Sequence, residues 1–228
     1  MSRHAAEPVV PIEPSEPATV SAHAVRYQRA GRLILDDVSV SAYPYEVLAI
    51  TGPSGSGKSS LLALLAGLEL PDSGSIERAT ASPGEGVPAG YGLVLQGYGL
   101  VSVLTAAENV EIVLQGQRVD RTEVRERAED LLAAVGLAEV ADHLVEQLSG
   151  GQQQRVAIAR ALVTDPAVLL ADELTAELDH ESRQRVLAKV FGLAERGSTV
   201  VICTHDPELA AGCHRQIQLT NGRVSLRR

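Results

Sequence analysis

Three short runs carry apolar residues without a polar interruption: Val47-Leu48-Ala49-Ile50, Ala167-Val168-Leu169-Leu170-Ala171 and Val200-Val201-Ile202-Cys203, the last led by Thr199. None alternates apolar with polar, which is the pattern of parallel strands covered on both faces. Tyr91-Gly92-Leu93-Val94-Leu95 reads as a further strand. The stretches between them change period. Ser60 to Ala66 is made of good helix formers. Thr105-Ala106-Ala107-Glu108-Asn109 has the look of an N-capped helix start. From Thr122 to Val135, apolar Val124, Ala128, Leu131, Leu132 and Val135 recur at helical spacing, and Gly136 ends the helix. Val156 to Leu162 is helical up to the break at Asp165-Pro166, and a charged helix runs from about Glu181 to Ala194 before Gly197. Strands alternating with helices predict an α/β domain with a mainly parallel sheet.

The two ends of the chain read differently. Thr19–Tyr27 and Leu33–Val40 are predicted strands joined by a hairpin turn at Ala30-Gly31-Arg32, and Ala42-Tyr43-Pro44-Tyr45 turns into the strand at Val47. Leu70-Pro71-Asp72-Ser73-Gly74 reads as a turn, and residues 79–90, rich in Ala, Gly, Pro and Ser, as a surface loop. Gln216–Leu219 and Arg223–Leu226 around Asn221-Gly222 predict a closing hairpin. Residues 1–20 carry Pro8, Pro11, Pro14 and Pro17 among Glu7, Glu13 and Glu16, a solvated, extended tail. The domain then spans residues 21–228, with a core of about 21–97 and 156–228 and a helical lobe of about 98–155.

Composition narrows the function. At 228 residues and 45% hydrophobic content the chain can bury a sizeable core, built from aliphatics because aromatics are 3%. A net charge of −9 argues against sequence-independent nucleic-acid binding, which needs a basic surface. Cys203 and Cys213 show no metal or disulfide spacing and read as reduced thiols. No apolar run approaches a membrane span and residues 1–20 carry no secretion signal, so a soluble, cytoplasmic chain is expected, reaching a membrane only through a partner.

The chemistry centres on Gly52-Pro53-Ser54-Gly55-Ser56-Gly57-Lys58-Ser59, which fits G-x-x-x-x-G-K-[ST] between a strand and a helix. Glycines let successive N–H groups face phosphate oxygens, and the following helix adds its positive end. Lys58 can reach the β- and γ-phosphates, and the Ser59 hydroxyl can ligate Mg²⁺. Asp172-Glu173 ends a dry strand, which suits one carboxylate to a metal and the other to a general base. Four features keep two readings each. Ser149-Gly150-Gly151-Gln152 opens a helix, either as a second anion site or as an ordinary Ser cap. Gln96 at a strand end faces a ligand crevice or starts a loop. His205 donates to a phosphate or sits in a turn, and Tyr27 stacks on a base or packs in the sheet.

Taken in order, these features resemble the ATP-binding subunit of ABC transporters from about residue 21 onward. Leu148-Ser149-Gly150-Gly151-Gln152-Gln153-Gln154-Arg155 carries most of the resemblance, being similar to that family's signature sequence. With Ala106-Ala107-Glu108-Asn109-Val110 it looks most like the lipoprotein-release and macrolide-export branch, whose relatives drive FtsX-like permeases. The resemblance implies a P-loop NTPase fold with an antiparallel β edge subdomain and an inserted helical subdomain. It implies ATP and Mg²⁺ on residues 52–60, with Ser59, Gln96 and Asp172 at the metal and Tyr27 on adenine. Glu173 would be the catalytic base, His205 the γ-phosphate sensor, and Gln96 the contact to attacking water and permease. Two chains, expected to be identical, would pair head to tail, Ser149 to Gln152 of one closing over the ATP of the other and Asp179 lying in the crossing loop.

The chain departs from that pattern at several points. Leu174 stands where the family has Pro, Glu177 where the branch has Asn, Pro44-Tyr45 where a Gly-Glu turn is usual, and Gly97-Tyr98-Gly99 where bulkier polar and aromatic residues are common. The segment from Gly74 to Gln96 is shorter than in relatives. Other functions compatible with the motifs are an ATPase switch that moves no solute, a soluble ABC ATPase of repair or translation, and a P-loop small-molecule kinase. The last leaves residues 148–155 unexplained, and the repair reading lacks a coiled-coil arm and a second cassette.

Overall fold

A computed structural model describes residues 17–79, 90–115 and 120–226. Strands β1 (Val20–Arg29) and β2 (Arg32–Ala42) form the expected hairpin, and β4 (Ser73–Arg78) pairs antiparallel on the other side of β1. The remaining strands are β3 (Val47–Thr51), β5 (Tyr91–Val94), β6 (Val168–Asp172), β7 (Thr199–Cys203), β8 (Arg215–Thr220) and β9 (Arg223–Leu226). They make one sheet in the order β5-β6-β7-β3-β8-β9, parallel except for the β8–β9 hairpin.

The continuous apolar runs are explained by what covers them. Every residue of β6 and β7 is buried, as are the first four of β3. Within each strand the side chains sort by parity. Ala49, Leu169 and Ile202 face one core, which contains Ile158 and Val186. Leu48, Leu170 and Val201 face the other, with Leu61 and Leu62. Both faces are therefore apolar, and period-2 alternation vanishes from the sequence. A fully buried Leu here is worth about 1.5–3 kcal/mol.

Six α-helices are described: α1 (Lys58–Ala66), α2 (Ala106–Glu111), α3 (Arg121–Ala134), α4 (Gly150–Leu162), α5 (His180–Glu195) and α6 (Pro207–Gly212). Thr105 caps α2 through a reciprocal bond pair with Glu108, as its sequence suggests. Gly136, at φ 77°, closes the turn after α3. Helices α2, α3 and α4 pack on one another, and α4 also packs on β5, so residue 155, drawn as the edge of the helical lobe, lies inside one continuous helix. Asn109, fully buried in α2, bonds backbone at Val101, Leu104 and Thr105 and so pins the segment that enters the helices.

Two elements were not legible in the sequence. Strand β4 begins at Ser73, inside the predicted turn, and α6 follows Asp206, which caps it. The predicted loop at 79–90 and the N-terminal tail fall mainly on residues outside those described.

Candidate active site

Parallel pairing sets the ends of β5, β6, β7 and β3 along one edge of the sheet: Val94 opposite Ala171, Asp172 opposite Cys203, and Cys203 opposite Ile50. The loops that follow gather there, as ligand-binding loops do in open α/β sheets. Residues 52–57 leave β3, Glu173 leaves β6, Thr204-His205 leave β7 and Gln96 leaves β5.

Gly52 has no room for a side chain: a Cβ there would lie 2.1 Å from the Leu219 carbonyl oxygen, at a φ of 148°. Gly57 stands at the N-cap of α1 with no side-chain cap, and the first turn holds no acid. The opening N–H groups of α1 are thus left to an incoming anion, with the helix dipole behind them. Ser56 is buried and its Oγ has no hydrogen-bond partner. Lys58 curls over the loop, its Nζ donating to the Gly52 oxygen at 2.9 Å and the Pro53 oxygen at 3.2 Å. Pro53, Ser54, Gly55 and Ser59 are exposed, and Ser60 is half-buried. A loop of uncapped donors, an orphan hydroxyl and a cation has the donor set of a phosphate cradle.

Asp172 is buried near the Ser59 hydroxyl. Burial raises its pKa, opposed by the nearby Ser59 hydroxyl and the Lys58 charge. No group of three or more His, Cys, Asp or Glu that could hold a metal occurs among the described residues. One carboxylate beside one hydroxyl is an oxygen donor set that would suit Mg²⁺, a hard cation that needs few protein ligands.

Glu173 is held at φ 55°, in the left-handed region. Its N–H donates to the Cys203 oxygen at 3.0 Å, and its oxygen accepts from Gln154 Nε2 at 2.7 Å. Its Oε1 lies 2.9 Å from Nδ1 of the exposed His205. Gln154 was not anticipated as a site residue. It is 2% exposed, and its Oε1 accepts from the Glu177 N–H at 3.2 Å, so one amide holds both ends of the acid loop. The available signal was a glutamine three, four and seven residues before apolar Ala157, Ile158 and Ala161 on a buried helix face. Beneath the site, Cys203 Sγ reaches the Lys58 oxygen at 3.6 Å, and burial pushes the thiol well above its usual pKa. Both cysteines are free and buried.

Ser149 caps α4: its hydroxyl accepts from the Gln152 N–H at 3.3 Å, and Gln152 Oε1 accepts from the Ser149 N–H at 2.9 Å. A Cβ at Gly151 would lie 2.6 Å from the Glu177 backbone oxygen, so glycine lets the acid loop approach. Gln153 ties α4 to Val145 and Leu148, and Arg155 ties it to Val135 and Gly136. Asp179 caps α5 through Ser182, whose N–H bond holds the carboxyl below its usual pKa.

The structure thus groups residues 52–60, Asp172, Glu173, His205 and Gln96 along one edge. Ser149 to Gln152 make no hydrogen bond to residues 52–60 among the described residues. Tyr27 is 5% exposed in the β1–β2 cluster with its hydroxyl donating to Glu69, so its ring is covered.

The profile of the family described as ABC transporter matches residues 35–176. The chain belongs to the ABC transporter family. Within it this cassette is an ATP-binding ATPase domain, similar to the lipoprotein-releasing system ATP-binding protein LolD of Bordetella avium, at 43% identity over 200 residues covering 84% of this chain and 87% of that protein. It is 42% identical over 199 residues to the macrolide export ATP-binding/permease protein MacB of Salmonella typhimurium, covering 84% of this chain and 31% of that protein. The cassette therefore spans about a third of the length of the MacB relatives. The fold matches the dimeric post-hydrolysis structure of the ATP-binding cassette MJ0796 bound to ADP and Pi, with a TM-score of 0.82, 34% identity, and coverage of 92% of this chain and 99% of that one. The P-loop NTPase fold and the branch read from the sequence both hold. No helix among the described residues is long and apolar enough to cross a membrane.

Proposed function

We propose that this cassette binds ATP on residues 52–60, hydrolyses it at Glu173, and in doing so drives an FtsX-like permease as a peripheral subunit on the cytoplasmic face of the membrane. The observation that carries the reading is the Glu173–His205 bond of 2.9 Å at the same sheet edge as a phosphate loop whose helix start is uncapped. Glu173 accepts the proton of the attacking water, and His205 orients its carboxylate and faces the γ-phosphate. Lys58 exchanges its bonds to Gly52 and Pro53 for phosphate oxygens. Ser59, Asp172 and Gln96 would hold Mg²⁺, which supplies charge neutralisation at the β- and γ-phosphates. Tyr27 is assigned to the adenine, which requires its ring to be uncovered.

Two copies pair head to tail, so that Ser149, Gly150, Gly151 and Gln152 of one close over the triphosphate of the other and Asp179 lies at the crossing. The start of α4 supports this role because it presents a hydroxyl and a helix dipole outward. Closure with ATP and opening after hydrolysis give the two states that a permease can follow.

Glu173→Gln tests the chemistry. Turnover should fall by about 10²–10⁴, the worth of a general base, with ATP affinity retained; wild-type turnover would remove Glu173 from the role. The partner is tested by trapping tagged Glu173→Gln protein with ATP in its native host and identifying what co-purifies from solubilised membranes. A polytopic membrane protein, lost in Lys58→Ala, is expected. Ribosomal or repair proteins instead would overturn the permease reading.

A further inference from the structure

His205 is exposed, and its bond to Glu173 is the one hydrogen bond its ring makes among the described residues. Packing therefore does little to place the imidazole, and its position depends on the turn Thr204-His205-Asp206 that carries it. That turn is fastened on both sides of the histidine. Thr204 is 2% exposed, and its N–H donates to the Ile50 oxygen, at the end of β3, at 3.0 Å. The Asp206 N–H folds back on the Thr204 hydroxyl oxygen at 3.0 Å. The Asp206 carboxylate then divides its two oxygens. Oδ1 accepts from the N–H groups of Glu208 at 2.8 Å and Leu209 at 3.2 Å, which caps α6. Oδ2 forms an ion pair with Nη2 of Arg183 at 2.6 Å. Arg183 lies in the first turn of α5, where its N–H donates to the oxygen of Asp179 at 2.9 Å. Among the described residues no hydrogen bond joins α5 to residues 204–206, so this ion pair is the polar link between them.

We propose that Arg183 is a positioning residue for His205, acting through Asp206. The inference rests on the reading above, in which His205 faces the γ-phosphate and Asp179 lies at the crossing between two copies. Asp206 is adjacent to His205 along the backbone, so a pull on its carboxylate tilts the turn and with it the imidazole. The other oxygen of that carboxylate holds α6, which gives the turn a fixed pivot. The Arg183 pair is half-buried, and a pair in that setting adds little to folding stability. Its consequence is geometric. A shift of the start of α5, where Asp179 meets the second copy, is passed through Arg183 to the backbone under His205. Pairing of two copies and placement of the histidine are thereby joined by one guanidinium.

The test measures steady-state ATP turnover, equilibrium ATP binding and thermal unfolding of the full chain. The variants are Arg183→Met, Arg183→Lys, Asp206→Asn, His205→Ala, and Arg183→Met combined with His205→Ala. Arg183→Met keeps the stem and removes the charge. It should lower kcat about tenfold, a part of the ~10² that a misplacement of about 1 Å costs, with KM, ATP affinity and Tm close to wild type. Arg183→Lys keeps a cation within reach of the same oxygen and should recover most of the loss. Asp206→Asn keeps the Oδ1 cap on α6 and should lose about as much as Arg183→Met. On top of His205→Ala, the Arg183 change should cost nothing further, because the group it places is gone. Wild-type kcat in Arg183→Met overturns the inference. So does the same fold-loss in both backgrounds, or a collapse of Tm, either of which makes the pair merely structural. Wild-type turnover in His205→Ala overturns the reading of His205 itself, and the inference with it.

Discussion

The clamp formed by Gln154 is open to a direct test, because its two bonds join the helix α4 to the backbone of the acid loop. Gln154→Met keeps the length and volume of the side chain and removes both polar functions. The Glu173 oxygen and the Glu177 N–H then lose their partners. A buried backbone group left unpaired costs about 1–3 kcal/mol. Glu177 is exposed and water can replace that bond, whereas Glu173 is half-buried and flanked by the buried Asp172 and Leu174. The net loss should be about 2 kcal/mol, mostly from the Glu173 side. For a domain of this size that is a fall in Tm of roughly 4–8 °C. The catalytic effect should be larger in proportion. Glu173 sits at φ 55°, a conformation its neighbours must hold. Losing the 2.7 Å bond to its carbonyl lets the loop relax, and a misplacement of about 1 Å costs about 10² in rate. Gln154→Glu separates the two bonds: it keeps an acceptor for the Glu177 N–H but turns an oxygen toward the Glu173 carbonyl. Phosphate release, thermal unfolding and equilibrium ATP binding would be measured for both variants. The expected result is kcat reduced by about two orders of magnitude in both, with ATP affinity held. Wild-type kcat in Gln154→Glu would refute the argument that the amide positions Glu173.

Other consequences can be checked separately. Asp172 has a raised pKa in the fold because it is buried, so the folded chain binds the proton more tightly than the unfolded one. Stability then falls as pH rises from the ordinary carboxylate range through the raised value, and the full penalty is present at neutral pH. Asp172→Asn should therefore raise Tm at pH 7 without nucleotide, with the gain shrinking on acidification, even as ATP turnover is lost; an unchanged or lower Tm at pH 7 would contradict the burial argument. Gly151→Ala should cost about 1–3 kcal/mol by chemical denaturation, because its Cβ would fall 2.6 Å from the Glu177 oxygen and backbone has to move. Asn109→Leu should destabilise by a similar ~3 kcal/mol, since it strips partners from backbone at Val101, Leu104 and Thr105; a stability equal to the parent would mean water replaces the amide.

Much of the site was legible because its cues are local. A strand, a glycine loop and a helix occupy residues 47–66 without a gap, and each carries its own signal. The doubly covered strands announced themselves by missing alternation. Strand β4 gave no such sign: its residues are exposed or half-buried, only Ile76 is apolar, and it opens with Ser73-Gly74. Its partner β1 holds it through backbone bonds, which sequence pattern does not record. Helix α6 has six residues, too few for a period to show. Gln154 was hidden in the polar run 152–155, where its neighbours Gln152 and Gln153 serve caps and loops at the surface while it turns inward. The departures at Tyr98 and Glu177 looked unrelated along the chain, 79 positions apart by their numbers. In the fold both are tied to α4, Tyr98 through Arg160 and Glu177 through Gln154, a relation that only tertiary structure supplies.

The thiol of Cys203, sealed beneath Lys58, turns the resting protein into its own stopwatch. Alkylation can proceed only during the brief openings in which the end of β7 parts from the phosphate loop, since the sulfur is fully covered and protonated. With Cys213 replaced by serine, the labelling rate becomes a readout of how often that seam breathes. A nucleotide that fastens the loop adds its binding free energy to every opening, so each tenfold excess of ATP over its Kd should slow the clock about tenfold. The molecule thus carries, in a residue with no part in the chemistry, a native reporter of when its engine is engaged.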